Sequence, residues 1–247
     1  MPPKIILWDF DMTLTSSNSE RMLLVEVYRH HLRNRNVIRL IQLAPITLAL
    51  IAIRGIYKLV KRVHRHYSDR GFSFFYSFSA MAFLRFWRAG FNSVLRTYPY
   101  SALVKWTEAN KNVILPGAGD VLRRAKRRKI RNYIISFGSD QLIINILKSA
   151  GLWKLFDGIY SNQLVYDGER IVSTKTNICA MPDKLNAAKQ ILKNYNLQFK
   201  DAAAVGDGPL DIELLNAVGY PVVKYNPVNP ISVKGAKVIR NLGEFPY

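Results

Sequence analysis

Two pairs of aspartates, one near each end of the 247-residue chain, are the residues best suited to chemistry: Asp9-Phe-Asp11, and Asp207 with Asp211. Each pair follows a short apolar run, Ile5 to Trp8 in the first case and Ala202 to Val205 in the second. Both runs read as buried parallel strands that deliver their acids at the C-terminal end, where open α/β sheets build their sites. Four carboxylates converging on one sheet edge call for a cation. A hard, oxygen-liganded ion that keeps waters and bridges to a phosphate suits them, and Mg²⁺ fits best. The Asp9-x-Asp11 spacing lets the two side chains act differently, one attacking phosphorus and the other supplying a proton to the leaving oxygen. A plainer explanation is that both acids only cap a strand-to-helix turn.

Asp9-Phe-Asp11-Met-Thr13-Leu-Thr15 resembles the first signature of the haloacid dehalogenase superfamily, and three further signatures follow in order. Ser136, after Tyr133-Ile134-Ile135, matches the second, a hydroxyl for a phosphate oxygen. Lys184, after Pro182-Asp183, matches the third, a cation for the phosphoryl charge. Gly206-Asp207-Gly208-x-x-Asp211 matches the fourth, an acidic metal loop. The resemblance implies an α/β fold, a Rossmann-like parallel-sheet core with an inserted α-helical cap, and a phosphatase reaction through an aspartyl-phosphate. Asp9 is then the nucleophile and Asp11 the general acid and later the general base. Mg²⁺ falls to Asp9, Asp207 and the backbone carbonyl of Asp11, with Asp211 as a second metal-side acid that orients Lys184. Thr13, Ser136, Phe137 and Lys184 are the expected phosphate contacts. Two positions depart from the pattern: Met12 stands where the family often has Gly, and Phe137-Gly138 follows the second-signature serine. Singly, Ser136 reads better as a helix N-cap and Lys184 as one more exposed lysine among 36 basic residues.

Composition frames these sites. A chain that is 49% hydrophobic and 12% aromatic can bury one core and a smaller accessory domain. Cys179 is the only cysteine, so an intrachain disulfide is impossible and a reducing, cytoplasmic setting is expected. The apolar run ahead of Asp9 is too short for a signal peptide. A net charge of +19 attracts anions, whether phosphate esters, nucleic acid or an acidic lipid face.

The remaining pattern supplies the scaffold. Helices are expected from Pro116-Gly117 to about Lys129, from near Ser139 to Ala150 ahead of Gly151, and from Lys184 to Asn194. Strands are expected at 131–136 and 202–205, with a hairpin about Asp167-Gly168 and a last strand at 222–224. Residues 1–17 and 113–247 thus form the expected catalytic core, and residues 18–112 an inserted helical domain.

That insertion follows the first signature, as in the subgroup resembling phosphoserine phosphatases, and it is strongly basic, with 16 Lys/Arg against four Asp/Glu. Pro45 can start a helix. Arg54, Lys58, Lys61, Arg62 and Arg65 then make one basic stripe, and residues 48–53 are apolar all round. The uncharged run 40–53 is too short to span a bilayer, which points to contact with a membrane surface. Phe72, Phe74, Phe75, Tyr76, Phe78, Phe83, Phe86, Trp87 and Phe91 add an aromatic density that suits the same interface. Packing faces of a helical domain would show the same stripes. Arg39, a Pro-interrupted apolar run and then Arg54-Gly55 make the segment loosely similar to the phosphatidylglycerophosphate phosphatases of bacteria, so an anionic lipid phosphate at the inner face of a membrane is the leading substrate, and a phosphoserine-like soluble ester the alternative. A noncatalytic nucleic-acid or membrane module is disfavoured, because uncompensated acids at one edge are costly without a metal. The cluster 123–131, seven cations in nine residues, reads as a solvated helix face. The four histidines, all within 18–112, show no metal-ligand spacing.

Overall fold

The computed structural model describes the backbone of residues 2–66 and 70–247, with side chains throughout these ranges except at 57, 58 and 60–81. Two compact units divide the chain: Met1–Glu20 with Ser101–Val165 and Ser173–Tyr247, and Arg21–Tyr100 with Tyr166–Val172.

The first unit is built on a seven-stranded sheet. In chain order its strands are β1 (Ile5–Trp8), β2 (Arg131–Ser139), β3 (Gly158–Asp167), β4 (Arg170–Lys175), β5 (Ala202–Gly206), β6 (Tyr220–Lys224) and β7 (Lys237–Ile239). Their spatial order is β4-β3-β2-β1-β5-β6-β7. From β3 through β7 the ladders are parallel. Every residue of β1 and of β5 is buried. This is why both read as unbroken apolar runs: central parallel strands are covered on both faces. The chain order reverses at β1, with β2 on one side and β5 on the other. The C-terminal ends of β1 and β5 therefore flank the switch point at which such sheets open a crevice.

Helices α7 (Met181–Asn194) and α8 (Ile212–Ala217) lay Ala187, Ala188, Ile191, Leu214 and Leu215 against Ile5, Leu7, Ala202 and Ala204. The small alanines of β5 let these helices approach closely. Burying Ile5 and Leu7 contributes about 1.5–3 kcal/mol each. Alternation sends Ile6 and Trp8 to the other face. There the Trp8 indole donates to Asn132 Oδ1 at 3.0 Å and its ring lies 4.9 Å from that of Phe245. Helix α5 (Ala118–Arg127) ties down the same C-terminal segment, Arg124 donating to the carbonyls of Phe245 and Tyr247. The basic cluster is thus partly consumed in structure: Lys126 also pairs with Asp157 at 3.0 Å, and Arg131 stacks over Tyr195. Helix α6 (Asp140–Ser149) ends ahead of Gly151, whose φ of 70° is the left-handed stop that glycine permits.

The second unit contains most of α1 (Ser19–Arg33) together with α2 (Val37–His66) and α3 (Arg70–Leu95), and α4 (Tyr100–Ala109) begins at its boundary. Leu23, Val27, Leu43, Leu50, Phe91, Val94 and Leu95 are among its buried apolar residues. Gly90 admits the Leu50 side chain, since a Cβ there would meet Leu50 Cδ2 at 2.9 Å. His31 Nε2 lies 2.9 Å from Thr97 Oγ1, a structural contact.

Two sequence expectations are corrected here. Pro45 does not start a helix but lies inside α2. It forfeits one amide hydrogen bond, while burial of Leu43 and Leu50 on either side keeps the helix continuous. A seventh strand, β7, follows β6; three residues with two of them exposed carry no readable alternation. Lys58, Lys61, Arg62 and Arg65 of the expected basic stripe, and Phe72, Phe74, Phe75, Tyr76 and Phe78, lie outside the described side chains.

Candidate active site

Register explains why distant acids meet. Trp8, the last residue of β1, pairs with Val205 on one side and Ile134 on the other. Asp9 therefore emerges one step beyond β1, its amide bonded to the Val205 carbonyl at 2.9 Å, next to where β5 releases Asp207. Ser136, two residues beyond the Trp8 partner, reaches the same sheet edge.

Lys184 sits at the centre of the cluster. It lies in the first turn of α7, whose start is fixed by Asp183 Oδ2 accepting the amides of Cys179 and Ala180 at 2.7 and 2.8 Å. A buried ammonium at a helix N-terminus opposes the helix dipole, so it needs anionic partners. It has two: Asp9 Oδ1 at 2.5 Å and Asp211 Oδ1 at 2.6 Å. These carboxylates raise the Lys184 pKa above its ordinary value against the opposing effect of burial.

Asp211 is held from behind. Its Oδ2 accepts the amides of Gly208 at 3.0 Å and Asp207 at 3.2 Å, so both of its oxygens are occupied by N–H donors. Gly206 makes room for it: a Cβ there would fall 2.4 Å from Asp211 Cγ. Asp207 accepts from Thr13 Oγ1 at 3.1 Å and from Asn226 Nδ2 at 2.5 Å. The Thr13 hydroxyl also lies 3.3 Å from Asp9 Oδ2 and is completely buried. Thr13, expected as a phosphate contact, lies between the two acids with a single proton to share. Asn226 escaped the sequence reading. Its only signal was position just past β6, in an Asn-Pro turn beside the β5 loop.

Asp11 has its own partners. Its Oδ1 accepts the Ser19 amide at 2.9 Å and its Oδ2 the Asn18 amide group at 3.3 Å, so it caps the start of α1. The capping explanation therefore describes Asp11 but not Asp9. Directly after Asp11, Met12 adopts a φ of 63°. This left-handed conformation strains a residue with a Cβ, which gives a physical reason for glycine at this position. Thr15 Oγ1 accepts the Met12 amide at 3.1 Å and steadies the turn.

Ser136 is buried, and its Oγ accepts the Gly138 amide at 3.0 Å, which leaves the hydroxyl proton to be donated elsewhere. The N-cap position of α6 belongs to Ser139, whose hydroxyl donates to the buried Glu20 at 2.9 Å. The Phe137 carbonyl accepts from Asn162 Nδ2 at 2.6 Å, so the bulged stretch of β2 is pinned from β3.

Burial is the dominant electrostatic influence on the acids. It drives Asp9 up to about 8, with Lys184 opposing and Asp211 and Asp207 adding to the rise. It also drives Asp11 up to about 7 and Asp207 to about 6. One oxygen from each of Asp9, Asp207 and Asp211 lies within 4.8 Å of the others. Carboxyls that burial pushes toward neutrality, with one lysine among them, are acids that a divalent cation would hold ionised. The donor set fits Mg²⁺.

The comparisons with known proteins agree with this arrangement. A family model described as haloacid dehalogenase-like hydrolase matches residues 6–216. Over 110 residues the chain is 28% identical to phosphoserine phosphatase SerB2 of Mycobacterium tuberculosis, a match that takes in 44% of this chain and only 26% of that protein. Among solved structures, a HAD-family hydrolase from Salmonella enterica serovar Typhi aligns with a TM-score of 0.61 at 18% identity, covering 98% of this chain and 69% of the other. A phosphoserine phosphatase solved as a phospho-aspartyl intermediate analogue aligns with a TM-score of 0.58 at 19% identity, covering 99% and 97%. At such identities the structural likeness speaks for the fold. The family model spans both strand-end acid loops and the lysine helix between them, and on that match the chain belongs to the haloacid dehalogenase-like hydrolases.

Proposed function

We propose that this chain is a Mg²⁺-dependent phosphatase that hydrolyses a phosphomonoester through a phosphate ester of Asp9. The observation that carries the reading is the Asp9 carboxylate, fixed at the end of β1 between Lys184 and Thr13 and beside Asp207. An oxygen of Asp9 attacks phosphorus, the bond from phosphorus to the leaving oxygen breaks, and Asp11 gives that oxygen its proton. Water then attacks the Asp9-bound phosphorus, Asp11 takes the water proton, and inorganic phosphate leaves with Asp9 restored.

Lys184 and the Ser136 hydroxyl neutralise and orient the phosphoryl oxygens. Asp9, Asp207 and the Asp11 carbonyl would hold Mg²⁺, with Asp211 fixing Lys184 and the metal loop from behind. When bound, the ion supplies positive charge that offsets repulsion between a carboxylate and a phosphate. In this reading residues 1–17 and 113–247 are the catalytic core and 18–112 an inserted domain that selects the substrate. Compact-unit boundaries near residues 20 and 100 support an insertion after the first signature, though they leave 101–112 with the core unit and 166–172 with the other.

Two substrate classes belong to the proposal. A small phosphomonoester of the phosphoserine kind is supported by the phosphatases this chain resembles. An anionic lipid phosphate such as phosphatidylglycerophosphate is supported by the basic charge of residues 18–112. Acid quenching during turnover of a phosphate ester with Mg²⁺, followed by peptide mass spectrometry, should find phosphate on Asp9. Asp9→Asn should show neither adduct nor turnover above background. Turnover that persists in Asp9→Asn sinks the mechanism, and parallel assays of phosphoserine and a lipid phosphate decide the substrate class.

A further inference from the structure

We infer that the outward face of α2 docks flat in the interfacial layer of an anionic lipid bilayer. The inference rests on a surface of the second unit and is independent of the phosphatase reading.

Helix α2 has two apolar faces where a water-facing helix needs one. Its inner face is accounted for. Leu43 and Leu50, seven residues apart, are buried, and Leu50 fills the space left by Gly90 of α3. Tyr28 of α1 donates to the Leu43 carbonyl at 3.1 Å. The outer face carries Ile41, Leu48, Ile51 and Ile56, each 62–67% exposed, at spacings that keep them on one side of the helix. Among the exposed residues from 41 to 56 the only polar side chain is that of Gln42. The expectation that this segment is too short to span a bilayer is corrected here: Val37–Ile56, 20 residues, is long and apolar enough to cross one, yet little of it is buried within the protein. The core helix of a soluble domain has the same composition but buries it. A contiguous apolar face of this length is costly in water and marks a docking surface.

Charge selects the occupant. Residues 21–100 carry 14 Lys/Arg against Glu26 and Asp69, a net of +12. Arg35 and Arg39 stand just before the apolar stripe and Arg54 lies near its far end. An apolar stripe set in a strongly basic domain matches an anionic bilayer surface, where acyl chains receive the aliphatic side chains and headgroups receive the cations. A second copy of the same basic face would bring like charges together. The packing of Leu43 and Leu50 on their own domain sets the depth: with one flank committed to α1 and α3, the helix offers the membrane only its outer side and lies along it.

The full-length protein tests this by flotation with phosphatidylcholine vesicles and with vesicles containing about a quarter phosphatidylglycerol. Wild type should float with the anionic vesicles at about 0.05 M salt, and binding should weaken at about 0.5 M. Leu48→Gln with Ile51→Gln should lower partitioning by about 10-fold or more. Both positions are exposed, so the circular dichroism spectrum should not change, and Gln42→Ala should bind as wild type does. Alkaline carbonate should release the bound protein. Wild type left in the soluble fraction, or a double variant that floats equally well, overturns the inference. So does carbonate-resistant insertion, which would mean a spanning helix. A stable dimer that the double variant converts to monomer would assign the face to a second copy instead.

Discussion

Replacing Lys184 by Met tests the electrostatic centre of the site without opening a large cavity. The ammonium is 2% exposed and bridges Asp9 and Asp211 at 2.5 and 2.6 Å. Methionine fills much of the same volume but leaves two buried carboxyls facing one another with no cation between them. Breaking a buried pair by removing one partner costs about 3–5 kcal/mol. In a chain of this length each kcal/mol moves the transition by about 2–4 °C, so the metal-free variant should melt roughly 10 °C lower near pH 8. Loss of the Lys184 attraction raises the Asp9 pKa further above its ordinary value. The deficit should therefore shrink as pH falls toward 5 and Asp9 keeps its proton. Mg²⁺ should restore part of it at pH 8. Calorimetry in EDTA and in Mg²⁺, at both pH values, provides the measurement. A variant that melts within about a degree of wild type in EDTA at pH 8 would refute the claim that Lys184 holds these acids together.

Other outcomes follow from the same geometry. In the metal-free protein Asp9, Asp11 and Asp207 have pKa values raised to about 8, 7 and 6. Between the ordinary carboxylate range and pH 8 the unfolded chain has already released protons that the folded chain still holds, so stability falls as pH rises through this window. In EDTA, the melting temperature of wild type should drop more between pH 6.5 and 8 than that of Asp9→Asn, and the increment given by Mg²⁺ should grow with pH. An equal slope in the two proteins would contradict the assignment. Met12→Gly relieves a φ of 63° and should stabilise the chain by up to about 1 kcal/mol, measured by denaturant titration, with turnover retained.

Much of the core was legible in the sequence because its physics is local. Ile5–Trp8 and Ala202–Gly206 read as buried parallel strands from their apolar runs, and Pro182-Asp183 announced the helix that carries Lys184. The two acid pairs stood out because a strand that ends in carboxylates has few structural uses. Asn226 did not stand out, since an asparagine before proline is ordinary turn chemistry until β6 pairs with β5 and brings it to Asp207. β7 was equally silent, its three residues being strand only because β6 offers a ladder.

What the sequence alone determined was the kind of chemistry and the strands that carry it, because residue type and apolar periodicity are properties of short segments. Tertiary structure decided the division of labour among the acids. Asp9 and Asp11 are two residues apart and look alike in sequence, yet one faces Lys184 and the other caps α1. That difference lies in partners 175 and eight residues away. It also decided which side of α2 is covered. Composition made residues 48–53 apolar all round, and only the packing of Leu43 and Leu50 left Ile41, Leu48, Ile51 and Ile56 facing out. Burial depends on what the rest of the chain brings alongside, and no local pattern encodes that.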